Sequence, residues 1–454
     1  MAQQQAANTQ YEKMTGEPIG RLILSLALPA VLSMLITNVY NIVDTAFVGR
    51  LGTSASGAVG IVFGFMAIIQ AFGFMFGQGS GSIISRALGQ KDLRRASIHA
   101  SLGFVSAFTC GIVISVVCFS RLDQIVVMLG STPTIAPYAK TYISFILMAA
   151  PFMCSSLTLN NILRYEGKAA LGTVGLGTGA LLNILGDMVF MFGFDMGIAG
   201  AGLSTALSEF TGWCVLLSMF LRGKTDTTLS SRFLREARVS YLLDIMATGF
   251  PCMLRQGLNS FTTVLLNTQC AVYGDAAVAG MSIATRASGF AFSIALGIGQ
   301  GFQPVSGFNY GARKYARLRE AYRFTAIASE LVMALGCVVL VGFPAQVVQA
   351  LRNDPEVIAV GARALRLQGL AMLTLPPCVA TEMLFQSTGQ RLGASFLSAL
   401  RNGLLLIPLL LLLANYRGLL GIEEAPPLAY VLSLPITMPC AWLFFHRLPK
   451  EDED

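Results

Sequence analysis

From Leu22 to Arg447 the sequence is a succession of continuous apolar runs. Each is about 20 residues long, enough to cross the roughly 30 Å hydrocarbon core of a bilayer as a helix. In that solvent every backbone N–H and C=O must be satisfied within the protein, which restricts a spanning chain to helices or a closed barrel. The runs do not alternate polar and apolar residues, so helices are expected. Charge supports the same solvent: only 12% of the residues are charged, against about 25% in a typical soluble domain. Spans are expected at 22–47, 57–80, 96–119, 138–161, 169–192, 198–221, 243–271, 278–301, 320–343, 364–387, 394–414 and 427–446.

Lys and Arg gather on one side of these spans. With the N-terminus inside, the cytoplasmic segments hold most of the 31 basic residues, among them Arg94, Arg95, Arg232, Arg235, Arg313 and Arg317. The positive-inside rule therefore places both termini in the cytoplasm. The net charge of +7 follows largely from this topology, and no nucleic-acid partner is expected. The nine cysteines sit almost wholly inside apolar runs with no C-x-x-C spacing, as small buried hydrophobes. The polar stretch from Met1 to Gly20 lacks the pattern of a cleavable signal peptide.

An internal repeat fixes the architecture. FGQGSGSIISRALGQKDLRRA (76–96) aligns without a gap with IGQGFQPVSGFNYGARKYARL (298–318). The offset that brings Phe76 onto Ile298 also pairs Pro29 with Pro251, Gly52 with Gly274, Pro133 with Pro355 and Gly167 with Gly389. The expectation is an all-α polytopic membrane protein of 12 transmembrane helices in two pseudo-symmetric six-helix bundles, repeated in parallel. A cytoplasmic tail (1–20), a first lobe (21–221), a cytoplasmic linker (222–242), a second lobe (243–446) and a tail (447–454) follow. Two such lobes can rock about a central cleft, which is alternating access.

Acids at bilayer depth are costly and mark function by default. Asp44 lies near the outer end of the first span. Asp187 lies in LLNILGDMVFMFGF on the fifth, roughly 28 Å above Lys168 at 1.5 Å per residue. Asn183 is one turn before Asp187 on the same face, and Thr205 on the sixth span sits at a comparable depth. Two acids, an amide and a hydroxyl make an oxygen-rich cluster suited to a hard cation such as Na⁺, or to a proton. At the repeat offset the acids correspond to Leu266 and Leu409, so the fold does not itself require them. Other intramembrane polar groups divide between helix packing and a substrate cleft. Gln78 and Gln300 occupy equivalent Gly-Gln-Gly turns, where packing is the simpler reading. Arg255, Arg286 and Glu382 face a cleft or one another, and Met281 is a candidate for lining it.

Taken together, LALPAVLSMLITNVYNIVDTAFVGRLG, GQGSGSIISRALGQKD and LLNILGDMVFMFGF resemble the MATE multidrug and toxin extrusion family, in its bacterial DinF-type and MepA-like branch. The resemblance covers about residues 15–447. It implies a secondary transporter, not an enzyme, in a bacterial plasma membrane, exporting amphipathic and often cationic small molecules in exchange for H⁺ or Na⁺. Apart from this coupling ion no cofactor is implied, and a monomer in the lipid bilayer is expected. By motif position the implied cation site falls on Asp44, Asn183, Asp187, the Ala201 carbonyl and Thr205, with Tyr40 and Asn41 beside it in the same motif. A branch that places its acids in the second half finds leucines at 266 and 409, although Glu382 keeps it open.

Two rivals stand beside this reading. A lipid or oligosaccharide flippase of the same superfamily would carry a more basic cavity and often fourteen spans. An intramembrane aspartyl protease would use the two membrane acids as its catalytic pair, but the full-length duplication argues against it.

Overall fold

The computed structural model describes residues 2–449 and 452, the side chains of residues 2–7 and Asn41 excepted. Among the described residues the chain is helical and has no strand. After a short helix, Ala2–Gly16, come twelve long ones. In the first half these are α1 (Ile19–Gly49), α2 (Thr53–Gly89), α3 (Leu93–Ser120), α4 (Ala136–Tyr165), α5 (Ala169–Gly193) and α6 (Gly197–Leu221). The second half has α7 (Val239–Ala271), α8 (Asp275–Gly311), α9 (Tyr315–Gly342), α10 (Pro355–Thr388), α11 (Arg391–Arg417) and α12 (Leu419–Arg447). Eleven of these are long and apolar enough to cross a membrane. The exception, α7, carries Asp244, Arg255, Gln256, Asn259, Asn267 and Gln269 along its length.

Several helices start earlier than apolarity suggests. Asp354 caps α10, accepting from the N–H groups of Glu356 and Val357, so the helix begins at Pro355 and includes the charged turn with Arg363. Helix α12 begins at Leu419 and runs through Pro426 and Pro427, as helices in lipid can when neighbours satisfy the freed carbonyls. Pro29, Pro151 and Pro251 likewise lie within helices. Pro376 and Pro377 follow a 3₁₀ turn, Met372–Thr374, that interrupts α10.

The repeat is written into the backbone. Helices α2 and α8 start and stop at the same repeat offset, Thr53 matching Asp275 and Gly89 matching Gly311. So do α3 and α9, with Leu93 on Tyr315 and Ser120 on Gly342. Gly52 and Gly274 precede α2 and α8 with φ of 108° and 95°. Gly167 and Gly389, at φ 79° and 81°, end α4 and α10 in the left-handed region that favours glycine. Lys91 and Arg313 hold the same conformation at φ 60° and 58° without that freedom.

Two compact units result. One comprises residues 1–14 and 32–253, the other 15–31 and 254–454. The division therefore falls inside α1 and α7, not at the linker. Glycine accounts for it. In the first unit a Cβ on Gly79 would lie 2.1 Å from the Ile245 carbonyl oxygen, and one on Gly249 would lie 1.8 Å from that of Met75. Thus α2 packs backbone to backbone on the start of α7. In the second unit a Cβ on Gly301, the equivalent of Gly79, would lie 2.6 Å from the Ala27 nitrogen, so α8 packs in the same way on the start of α1. The two Gly-Gln-Gly segments lie inside α2 and α8 rather than in turns, and their glycines are packing sites. Gln78 is 2% exposed and its Oε1 has no hydrogen-bond partner among the described residues.

Candidate functional site

Within the first unit, α1, α5 and α6 bring the expected oxygen ligands together. Asp44 and Asn183 are each 2% exposed, Thr205 1% and Asp187 0%. The carboxyl groups of Asp44 and Asp187 lie within hydrogen-bonding reach of each other. Asn183, one turn below Asp187, links the pair to α6. With its amide turned so that no acceptor faces an acceptor, its nitrogen donates to Asp187 Oδ2 at 3.2 Å. Its oxygen then accepts from Thr205 N at 3.3 Å and from Thr205 Oγ1 at 3.1 Å. Thr205 Oγ1 shares its single proton between that oxygen and the Ala201 carbonyl, 3.0 Å away, and Ser204 Oγ donates to the Asn183 carbonyl at 2.8 Å. Asp44 Oδ1 and Asp187 Oδ1 are buried with no hydrogen-bond partner among the described residues. Two free carboxylate oxygens beside an amide, a hydroxyl and a carbonyl are a donor set for a hard cation.

Three groups join this cluster that the sequence does not single out as ligands. Tyr142 on α4, 1% exposed, sets its hydroxyl beside Thr205, and Ser204 lies beside Asp187. Glu209 lies one turn beyond Thr205 on α6, close to Tyr40. Tyr40 is half-buried and sits among Asp44, Glu209, Tyr142 and Asp187. Ser204 is signalled by its place beside Thr205, whereas a tyrosine inside an apolar helix carries no signal. The side chain of Asn41 lies outside the described residues.

A π-helical turn, Met188–Gly193, directly follows Asp187. Such turns inside helices gather at functional positions. In the second unit the repeat positions are apolar: Leu266 is 8% exposed and belongs to the hydrophobic core, and Leu409 packs against it.

The second unit has its own cavity of about 400 Å³. Arg255, Arg286 and Glu382 line it. Met281 does not. It is fully buried in the apolar core with Leu340 and Leu365, because a methionine at helical spacing packs as readily as it lines a cleft. Arg255 donates to Glu382 Oε1 at 2.7 Å, and Ser398 donates to the same oxygen at 2.7 Å. Arg401 enters the cavity from α11. All three arginines that lie well inside the expected spans therefore face one chamber.

Comparison with known proteins bears on the chain as a whole. The MatE family model matches residues 29–189 and 251–412, the two halves of the repeat. The multidrug export protein MepA of Staphylococcus saprophyticus is 26% identical over 94% of this chain and 94% of its own length. MepA of Staphylococcus aureus strain MSSA476 is 25% identical over 96% of each. A crystal structure of MATE in complex with MaL6 superposes with a TM-score of 0.91 at 23% identity, covering 96% of this chain and 98% of that one. An outward-facing multidrug resistance MATE family transporter of the MOP superfamily superposes at 0.90, also at 23% identity, covering 97% and 98%.

Proposed function

This chain belongs to the MatE family, a family of membrane transporters rather than enzymes, and from that premise we propose that it exports amphipathic, often cationic small molecules by exchange for H⁺ or Na⁺. The coupling ion binds between Asp44 and Asp187, with Asn183, Thr205 and the Ala201 carbonyl completing its oxygen shell. Tyr40 and Glu209 offer a neighbouring surface to a cationic cargo. The protein spans a bacterial plasma membrane many times as a monomer, with both termini in the cytoplasm.

One observation carries this reading: two buried acids within hydrogen-bonding reach, each with an unpartnered oxygen, where the repeated half packs leucine. Two carboxylates so placed call for a shared proton or a bound cation between them. An ion entering along the membrane field gains about 2.3 kcal/mol per 100 mV, which is available to drive cargo outward. Coupling requires only that ion and cargo favour opposite-facing states or compete for the same acids, since a ligand shifts a conformational equilibrium by its differential affinity alone.

The test is uptake of ethidium into inverted vesicles under an imposed sodium gradient and, separately, an imposed proton gradient. One gradient should drive uptake, and Asp187→Asn should abolish it. Undiminished driven uptake by that variant would overturn the assignment.

A further inference from the structure

We propose that the cavity of the second unit binds an amphipathic organic anion, its carboxylate, sulfonate or phosphate held by Arg286 and Arg401. The observations begin with charge. Three arginines and one carboxylate line the chamber. Glu382 is committed to Arg255 and Ser398. Arg286 has no hydrogen-bond or ion-pair partner among the described residues, and the one hydrogen-bond partner of Arg401 among them is the neutral Asn402 oxygen at 3.3 Å. Two cations are thus left without a counter-charge.

Their depth makes this costly. Arg286 is eleven residues into α8 and Arg401 ten into α11, about 15 Å from either helix start. A cation so deep in a membrane protein faces a partner or an aqueous cavity that serves a ligand. The backbone around Arg401 is also irregular: Leu400–Leu405 forms a π-helical turn that carries Arg401 and Asn402, both on the cavity wall. The first unit places its π turn directly after Asp187 in the equivalent helix, α5. Each unit therefore interrupts the same helix beside its ionisable cluster, acidic in the first and basic in the second.

The remaining wall describes the rest of the ligand. Leu266, Phe292, Leu296, Met372, Leu375 and Tyr430 line the chamber. The Arg401 guanidinium lies 5.0 Å from the Phe292 ring and 5.7 Å from that of Tyr430. This sets the guanidinium beside an apolar, aromatic surface. A guanidinium accepts a carboxylate, sulfonate or phosphate through paired donors, and the volume lies within the range of small-molecule sites. The occupant is an amphipathic anion, either a free amphiphile or a lipid that presents its anionic headgroup. The proposal concerns a different chamber from the Asp44–Asp187 cluster and stands whether or not that cluster couples transport.

Purified protein in phosphatidylcholine nanodiscs would be titrated with radiolabelled naproxen, an aromatic carboxylate, and with its uncharged methyl ester. Saturable binding of the acid and not the ester is expected. Arg286→Gln and Arg401→Gln should each weaken it about 10-fold, the loss expected for one charge-assisted contact, while Arg286→Lys keeps most of it. Binding is read at equilibrium with no ion gradient imposed, which separates this result from any failure of ion coupling. If adding phosphatidylglycerol to the nanodiscs displaces naproxen, the natural anion is a lipid headgroup; if it does not, a free amphiphile is favoured. Equal binding of acid and ester, no saturable binding, or unchanged binding in both glutamine variants would overturn the proposal. Should Arg401→Gln misfold, the exposed Arg286 carries the test alone.

Discussion

Asp44 and Asp187, on the first and fifth long helices, bring their carboxyl groups within hydrogen-bonding reach at 2% and 0% exposure. Such a pair opposes folding, because burial and mutual repulsion both penalise it and, among the described residues, no basic side chain reaches it. Replacing Asp187 with asparagine keeps the shape and removes a charge. We expect Asp187→Asn, and equally Asp44→Asn, to raise thermal stability by about 0.5–2 kcal/mol, the usual trade of function for stability, while coupled efflux is lost. Thermal unfolding of the purified variants checks this. A lower melting point than the parent would mean that the acids serve packing.

The glycine contacts give an opposite expectation. A methyl group on Gly249 would lie 1.8 Å from the Met75 carbonyl oxygen, and one on Gly79 2.1 Å from that of Ile245. Backbone cannot yield as a side chain can, so Gly249→Ala and Gly79→Ala should each cost about 3 kcal/mol or more. Gly60 and Gly64 on the same α2 have nothing within 4 Å of where a Cβ would stand, so alanine there should stabilise by up to about 1 kcal/mol. Monodisperse yield in size-exclusion chromatography separates the two pairs directly.

Much of this was legible because lipid makes charge conspicuous. Asp44 and Asp187 stand out as acids in apolar runs, helical spacing adds Asn183, and the single repeat offset predicts the duplicated helix ends. What stayed hidden depends on convergence between distant helices. Arg286 and Arg401 are each visible as a charge in an apolar run, but nothing in either segment says that they share a chamber. Tyr142 looks like any aromatic residue in an apolar helix, and Met281 like any cleft methionine, until packing assigns the first to Thr205 and the second to the core. The early start of α10 was concealed by its own function. Its charged first turns read as loop, yet Arg363 there serves Glu423 on α12.

That ion pair supports a double-mutant prediction. Glu423 is 0% exposed and accepts from Arg363 through both oxygens, with Arg363 Nη2 at 2.7 Å from Oε1. Arg363→Ala would strand a buried carboxylate and should cost about 3–5 kcal/mol. Adding Glu423→Gln removes the stranded charge and should recover much of the loss. A thermal-unfolding cycle over the four proteins measures the coupling. If the double variant is no more stable than Arg363→Ala, Glu423 is already held by other groups.

The clasp between Glu166 and the loop after α6 should make stability depend on pH. Glu166 lies just beyond the end of α4 at 0% exposure. Its carboxyl accepts from the N–H of Asp226 at 2.9 Å, from the N–H of Thr227 at 3.1 Å and from the Thr227 hydroxyl. Burial, with Asp226 nearby, pushes its pKa up to about 7 against Lys168, which favours the ionised form. The unfolded chain ionises this group near its ordinary value of 4.5. Between those two values the folded state binds the extra proton, so unfolding releases one and stability falls as pH rises. The added stability is complete below the unfolded value, is lost across that window and is gone above about 7, at a slope of about 1.4 kcal/mol for each step of one in pH. Asp226 is raised by its own burial and acts in the same direction. Glu166→Gln should flatten the profile and leave its low-pH limit nearly unchanged. Amide hydrogen exchange over residues 224–228, followed across the window and corrected for intrinsic rates, reads the loosening locally. Protection that increases with pH would mean that the three donors and Lys168 together outweigh burial.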